Sequence, residues 1–401
     1  MTTAPSMTRS ALRRLLLKMI AAGPFDTAAL AGLSEGDWSV LDLMAGQHRL
    51  QPMLHARFGD SPAVPANMRD QWRASYRYWK MMAVAARSEL RKTSRILQSA
   101  GYEPIALKGA WLAEHCYEDP ALRPLRDLDI LVTPETVIGA FECLQAKGYR
   151  PLDPIELSLA DIVRIEKHMP PLQSPTGICI ELHHRMWEVE GQMDHMFPDR
   201  IEAEVRARAI LVDGVRYPCA EDMLAHLIVH AVYSHRLDCG PLVLSDIAMM
   251  LRSTPMDWAR LWDRARSEDW VEGAALVLAL VNRHDPDLPG LNDIVAANPV
   301  PQDLLDGAAD LLLQDLETRR SAGFFATLRA GLPGTFRRRV RGHRQGDGHG
   351  ADIARDLAHE GGFWGWALKR TGRTLSQWRN PEVRRQSGQL AAISRWLNRE
   401  H

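Results

Sequence analysis

Two aspartates, Asp127 and Asp129, stand one residue apart in the run DLDILV (127–132). Side chains on a strand alternate between faces, so Leu128, Ile130 and Val132 share one face and the two carboxylates share the other. At about 5 Å and an effective dielectric near 20, such a pair repels by roughly 3 kcal/mol. A fold tolerates that where both groups meet bulk water or where a cation lies between them. A second alternating run, GICIELHH (177–184), adds a third carboxylate. Ile178, Ile180 and Leu182 take its buried face; Cys179, Glu181 and His183 take the other. If the two strands are neighbours, Asp127, Asp129 and Glu181 converge on one or two hard cations. Oxygen ligands with open positions suit Mg²⁺ (or Mn²⁺) held together with the phosphates of a substrate.

The preceding stretch, IALKGAWLAEHCY (105–117), supplies what a triphosphate needs. It reads as strand, tight turn and helix. Lys108 places a point charge at the turn, and Gly109 allows a ligand to approach the backbone closely. A helix beginning at Ala110 presents unpaired amides at its positive dipole end. Arg123, four residues ahead of Asp127, offers a bidentate fork to a phosphate. Arg126 does the same or pairs with Glu118 or Asp119.

Each feature alone has a plainer meaning. A lone D-x-D is usually a solvated strand face, and a lone Glu181 an exposed strand residue. The ordered combination of strand, Lys-Gly, helix, Arg, D-x-D strand and later Glu strand is far more specific. His226 and His230 lie one turn apart, but HLIVH lacks the glutamate of a zinc protease, so His226 is expected to pack in the core. His183 is a candidate support for the acidic ligands, while its neighbour His184 should point the other way. No phosphate-loop or dinucleotide glycine signature is present. A D-x-D glycosyltransferase would need a long alternating β/α half before its motif, where this chain is helical.

These residues must be positioned by the rest of the 401-residue chain. Residues 8–100 space their apolar side chains by three and four in ALRRLLLKMIAA, DWSVLDLMAGQHRLQPMLHARF and NMRDQWRASYRYWKMMAVAARSELRKTSRILQSAG, which predicts helices, the last capped by Gly101. A small mixed sheet occupies about 101–215. It contains the helix PETVIGAFECLQAKGY, with Pro134 in its first turn and Gly148 at its end, and closes on a hairpin at Asp213-Gly214. From Glu221 the chain is helical again. The predicted organisation is a helical region over 1–100, a core over 101–218, a helical domain over 219–320 and a basic linker with helices over 321–401.

The net charge is near −1, but residues 321–401 carry 15 Lys/Arg against 6 Asp/Glu. That basic tail, with Arg337, Arg338, Arg339, Arg341 and Arg344, is a candidate RNA-binding segment on which Trp364, Trp366, Trp378 and Trp396 would stack bases. Its plainer reading is a solvated linker followed by helices that the tryptophans anchor. Five dispersed cysteines without C-x-x-C spacing argue for reduced thiols and a cytoplasmic setting. The apolar run near the N-terminus, LLLKMIAA, is broken by Lys18 and suits an amphipathic helix better than a signal peptide. No apolar stretch reaches the roughly 18–20 residues of a membrane span.

The order Leu107-Lys108-Gly109, Arg123, Asp127, Asp129, then Glu181 with His183, resembles the nucleotidyltransferases of the DNA polymerase β superfamily, most closely an uncharacterised bacterial branch. The resemblance spans roughly residues 30–265 and includes His230 and Asp246 as further supporting groups. It implies an α+β fold, a small mixed sheet with a polymerase β-like core between helical regions. It also implies transfer of a nucleoside monophosphate from an NTP, with ATP the expected donor, to an acceptor hydroxyl on a peptide, a small metabolite or an RNA. Many members of that superfamily carry Gly-Ser where this chain has Gly109-Ala110, which leaves the backbone and Lys108 to bind phosphate. The contrasting possibility is a non-catalytic protein that binds RNA or another partner through the basic tail.

Overall fold

The computed structural model of the chain describes residues 6–187, 199–314, 316–329 and 379–398. The arginines at 337–344 and three of the four tail tryptophans, Trp364, Trp366 and Trp378, lie outside them. The N-terminal region forms α1 (Arg9–Ile20), α2 (Glu35–Gln47), α3 (Gln51–Phe58) and the long α4 (Ala66–Ser99). The central region follows the order β1 (Ile105–Ala106), α5 (Gly109–His115), β2 (Asp127–Leu131), α6 (Val137–Ala146), β3 (Arg150–Pro151), α7 (Leu159–Ile165), β4 (Leu172–Gln173), β5 (Cys179–His183), α8 (Asp199–Ala207), β6 (Ile210–Val212) and β7 (Val215–Tyr217). Helices α9 (Ala220–Val229), α10 (Leu242–Ser253), α11 (Trp258–Ser267), α12 (Val271–His284), α13 (Leu291–Ala297), α14 (Gln302–Leu312), α15 (Leu316–Arg329) and α16 (Pro381–Leu397) complete the described chain. No described helix is long and apolar enough to cross a membrane.

The fold is mixed α+β, with one seven-stranded sheet in the order β3-β4-β5-β2-β1-β7-β6. β2 and β5 are parallel neighbours, as are β1 and β7; the other pairs are antiparallel. Parallel pairing of β2 and β5 requires a crossover, and α6, β3, α7 and β4 provide it. One face of the sheet buries Leu128, Ile130, Ile180 and Leu182 against α4, α6 and α7. The opposite face contributes Ile105, Leu107 and Leu131 to a core shared with α9, α10 and α12. A separate N-terminal core packs Leu12, Leu16, Trp38, Leu50 and Trp72 with Leu242 and Leu313 from the C-terminal helices.

Local signals placed several of these boundaries. Gly101 and Gly148 follow α4 and α6 at φ 89, the left-handed position that glycine takes without cost. Asp213 and Gly214, at φ 51 and 81, close the β6–β7 hairpin as expected for a turn with two left-handed residues. Pro134 differs from expectation. It lies in the turn before α6, where the Thr136 amide donates to the Thr133 carbonyl at 3.1 Å. The run at 37–58 is two helices rather than one continuous pattern. It breaks at Arg49, which adopts φ 58 without being glycine.

The two ends of the chain meet. Helix α16 packs on α14 and α15. Arg13 of α1, almost fully buried, pairs with Glu382 at the start of α16, and Arg385 pairs with Glu382 and Asp310. Burial alone would raise the Glu382 carboxyl, but its bonds from Arg385 and Arg13 win and bring it down to about 2. A carboxyl depressed on folding adds stability above its unfolded value near 4.5 and loses it as pH falls toward about 2. Thermal unfolding of the Glu382→Gln variant should therefore lose less stability than wild type between those pH values. Parallel pH curves for the two proteins would contradict this anchoring.

Candidate active site

Strands β2 and β5 set the geometry. Their parallel register places Asp127 beside Cys179, Asp129 beside Glu181 and Leu131 beside His183, so all three carboxylates share one face of the sheet. The His183 Nε2 lies 2.7 Å from Asp129 Oδ1 and 3.4 Å from Glu181 Oε2. Lys108 Nζ lies 3.5 Å from Asp129 Oδ2. Burial opposes ionisation of Asp129, yet Lys108 and the His183 hydrogen bond hold its carboxyl well below the usual range. Glu181 is likewise lowered, the His183 hydrogen bond outweighing burial. His183 is fully buried but raised by the same partners, which favours its charged form. Asp127 moves the other way. Burial and the carboxylates of Asp129 and Glu181 raise it. Two adjacent carboxylates, Asp129 buried and Glu181 half-buried, thus share one lysine and one histidine.

The ligand atoms of Asp129, Glu181 and His183 all lie within 4.8 Å of one another. Two carboxylates and an imidazole on rigid strands fit a divalent cation, the oxygen donors suiting Mg²⁺ or Mn²⁺ and the nitrogen being more typical of Zn²⁺ or Fe²⁺. His183 Nδ1 is buried without a hydrogen-bond partner among the described residues. The sequence placed His183 behind the ligands; its ring instead sits between the two carboxylates. Asp127 faces the same side but falls outside this close grouping. His184 points away as expected, its Nε2 3.0 Å from the Val163 carbonyl oxygen.

Lys108 reaches Asp129 from an unusual backbone, φ 45 and ψ −117, a conformation that glycine normally occupies. The turn it forms departs from the expected phosphate cradle. The amide of Ala110 donates to Leu107 O, and those of Trp111 and Leu112 donate to Lys108 O. The room at Gly109 is filled by protein. A Cβ there would stand 2.6 Å from Leu125 Cδ2 and 3.1 Å from Arg123 Nη1. Gly109 thus gives the Arg123 and Leu125 side chains room to pack, and α5 spans seven residues with the amides of Ala110, Trp111 and Leu112 engaged.

Arg123 was expected to present an open fork to phosphate. Its Nε and Nη2 instead donate to both oxygens of Asp246 at 2.9–3.1 Å, and Nη1 donates to Pro124 O. Tyr117 donates its hydroxyl to the same Asp246 at 2.8 Å. Burial would lower Arg123, but the Asp246 carboxylate more than compensates and raises it. Asp246, foreseen as a supporting group, thus ties the loop ahead of β2 to α10. Arg126 is exposed.

Further histidines neighbour the site, and His226 packs in the core as expected. His226 is fully buried, with neither ring nitrogen partnered among the described residues, and burial followed by Lys108 holds it well below its usual range. His230 begins a π-helical turn, His230–Ser234, with its ring 4.2 Å from that of His235 and 6.0 Å from that of His226. Burial and Lys108 lower it as well. The loop before β4 brings the His168 ring within 5.2 Å of His183. A π turn interrupting a helix pattern, and a loop histidine docked across the sheet, are set by tertiary packing.

A family model described as an uncharacterised nucleotidyltransferase matches residues 34–284. Comparison with curated proteins and with solved structures finds no match.

The Arg123–Asp246 pair predicts a large asymmetry. Asp246→Ala leaves a buried guanidinium unpaired and should cost about 3–5 kcal/mol in urea unfolding. The double variant Arg123→Met, Asp246→Leu should recover most of that loss. Equal losses in the single and double variants would show that the pair does not organise this loop.

Proposed function

The chain belongs to this nucleotidyltransferase family, and on that premise we propose that it transfers a nucleoside monophosphate from an NTP to an acceptor hydroxyl. Such chemistry is that of the DNA polymerase β superfamily and of class EC 2.7.7. The observation that carries the reading is the facing of Asp129 and Glu181 across a parallel strand pair, with Lys108 and His183 in contact with them. Asp129, Glu181 and His183 would hold a divalent cation, Mg²⁺ or Mn²⁺, with Asp127 beside them. When bound, that cation supplies charge neutralisation at the phosphates and a lowered pKa at an attacking hydroxyl.

The chain's own residues do the rest. The acceptor oxygen forms a bond to the α-phosphorus while the bond from that phosphorus to the bridging oxygen breaks. Pyrophosphate leaves with the electron pair, and the hydroxyl proton passes to a carboxylate, Glu181 or Asp127. Lys108, held by its strained turn, offsets charge growing on the leaving pyrophosphate. Arg123 positions the loop ahead of β2 through Asp246 and supports Gly109. The region 101–218 contributes all three carboxylates and serves as the catalytic core in this reading. ATP is the expected donor and a peptide, small metabolite or RNA end the expected acceptor. Five free cysteines suit a reducing cytoplasm.

Incubation of the full chain with each α-labelled NTP, Mg²⁺ or Mn²⁺ and a cell extract should label an acceptor of defined size. The pair Asp127→Asn with Asp129→Asn, and separately Glu181→Gln, should remain folded by circular dichroism. Each should lose transfer by at least about 100-fold, the upper range for losing a group that merely orients a metal ligand. Mn²⁺ binding followed by electron paramagnetic resonance should weaken in parallel. Retained transfer in the double aspartate variant would remove the proposal.

A further inference from the structure

Several helices of this chain end in the same way, and one of them breaks the rule for the residue that ends it. After α4, Gly101 N–H donates to Gln98 O and Tyr102 N–H to Leu97 O. After α6, Gly148 donates to Gln145 O and Tyr149 to Leu144 O. After α11, Asp269 is left-handed at φ 58 and Trp270 donates to Ala265 O. After α2, Arg49 donates to Gly46 O and Leu50 to Ala45 O, the same paired closure, with Arg49 at φ 58. Glycine is the favoured residue at this position and aspartate a tolerated one. Arginine is neither, and what its side chain faces becomes the question.

That side chain is half-buried, and no described residue forms a hydrogen bond or ion pair with it. Its electrostatic neighbours are the guanidinium groups of Arg126 and Arg123 and the carboxylates of Asp127 and Asp246. Arg123 is neutralised by Asp246, and Lys108 by Asp129. Arg126 is exposed and also has no ion-pair partner among the described residues. Arg49 and Arg126 are thus like-charged neighbours that share Asp127 as an opposite charge, and neither makes a close ion pair with it. The turn that carries Arg49 is fixed on both sides. Leu50 is buried in the N-terminal core, and the His48 ring closes on Gly240, where a Cβ would stand 2.9 Å from its Nδ1.

We propose that Arg49, with Arg126, binds the phosphate chain of the nucleotide, so that the N-terminal helical region completes the substrate site. This rests on the nucleotidyl-transfer reading and deepens it by assigning the triphosphate to the Asp127 side of the carboxylates. Arginine suits the task because its planar fork matches phosphate oxygens and its weak hydration tolerates partial burial. Burial first, then Arg126 and Arg123, push the Arg49 guanidinium down to about 10, the direction that crowding by like charge produces.

Titration calorimetry of the full chain with sodium tripolyphosphate and with ATP, each with Mg²⁺, tests the assignment beside thermal unfolding. Arg49→Gly removes the fork while giving the turn its preferred residue. Its melting temperature should equal or exceed that of wild type, and its affinity for both probes should fall by about tenfold or more, as expected for losing charge-assisted hydrogen bonds. Arg49→Lys should fall in between, retaining charge without the fork. Unchanged affinity in Arg49→Gly, or a lowered melting temperature, would overturn the assignment while leaving nucleotidyl transfer intact. A wild-type protein that binds neither probe and labels no acceptor would end both.

Discussion

Carboxylates facing one another inside a protein are the constraint around which this molecule is arranged. Asp129 and Glu181 lie side by side on parallel strands, largely out of water. Left alone, one of them would take up a proton. The fold instead delivers Lys108 from the turn after β1 and His183 from the end of β5, and both stabilise the ionised forms. This requires β1, β2 and β5 to be adjacent in that order. The crossover through α6 and α7, and the burial of Leu128, Ile130, Ile180 and Leu182 beneath them, secure that order. The apolar face fixes the register, and the register fixes which acids meet.

Strain gathers around the same place. Lys108 and Arg49 both occupy left-handed or glycine-like backbone, and His230 begins a π turn. Such conformations cost on the order of 1–3 kcal/mol each and persist only where surrounding packing enforces them. Here Leu107 and Leu50 are fully buried, and the π turn rests on Gly273, where a Cβ would stand 2.5 Å from the Tyr233 ring. Lys108 and Arg49 each carry a basic side chain near an aspartate of β2, and His230 lies near Lys108.

The helices serve as the frame for this arrangement. Asp246 of α10 closes on Arg123 and Tyr117, so the loop ahead of β2 is held by the C-terminal helices. Asp222 of α9 joins Arg208 and Arg264 in a second buried network, and Arg252 forks onto the buried Asp285. Buried pairs of this kind add little net stability compared with apolar packing, but removing one partner is expensive. They therefore lock relative placement more than they raise stability, which is what a site assembled from distant segments requires.

The sequence alone determined the parts whose physics is local. Strict alternation identified β2 and β5 and the shared face of Asp127, Asp129 and Glu181. Glycines at 101 and 148 marked two helix ends, and Asp213-Gly214 marked a hairpin. Other features were illegible for physical reasons. The two-residue strands β3 and β4 are too short to show a period, and Arg49 ends a helix without the glycine that signals an end. The Arg123 guanidinium expected to bind phosphate is taken up by Asp246, 123 residues further along the chain, and packs with Leu125 against Gly109. His183 entering the space between the carboxylates and His168 docking beside it likewise depend on which segments pack together. Tertiary structure decided these because a charged side chain finds its partner by proximity in space, which spacing along one strand or helix does not encode.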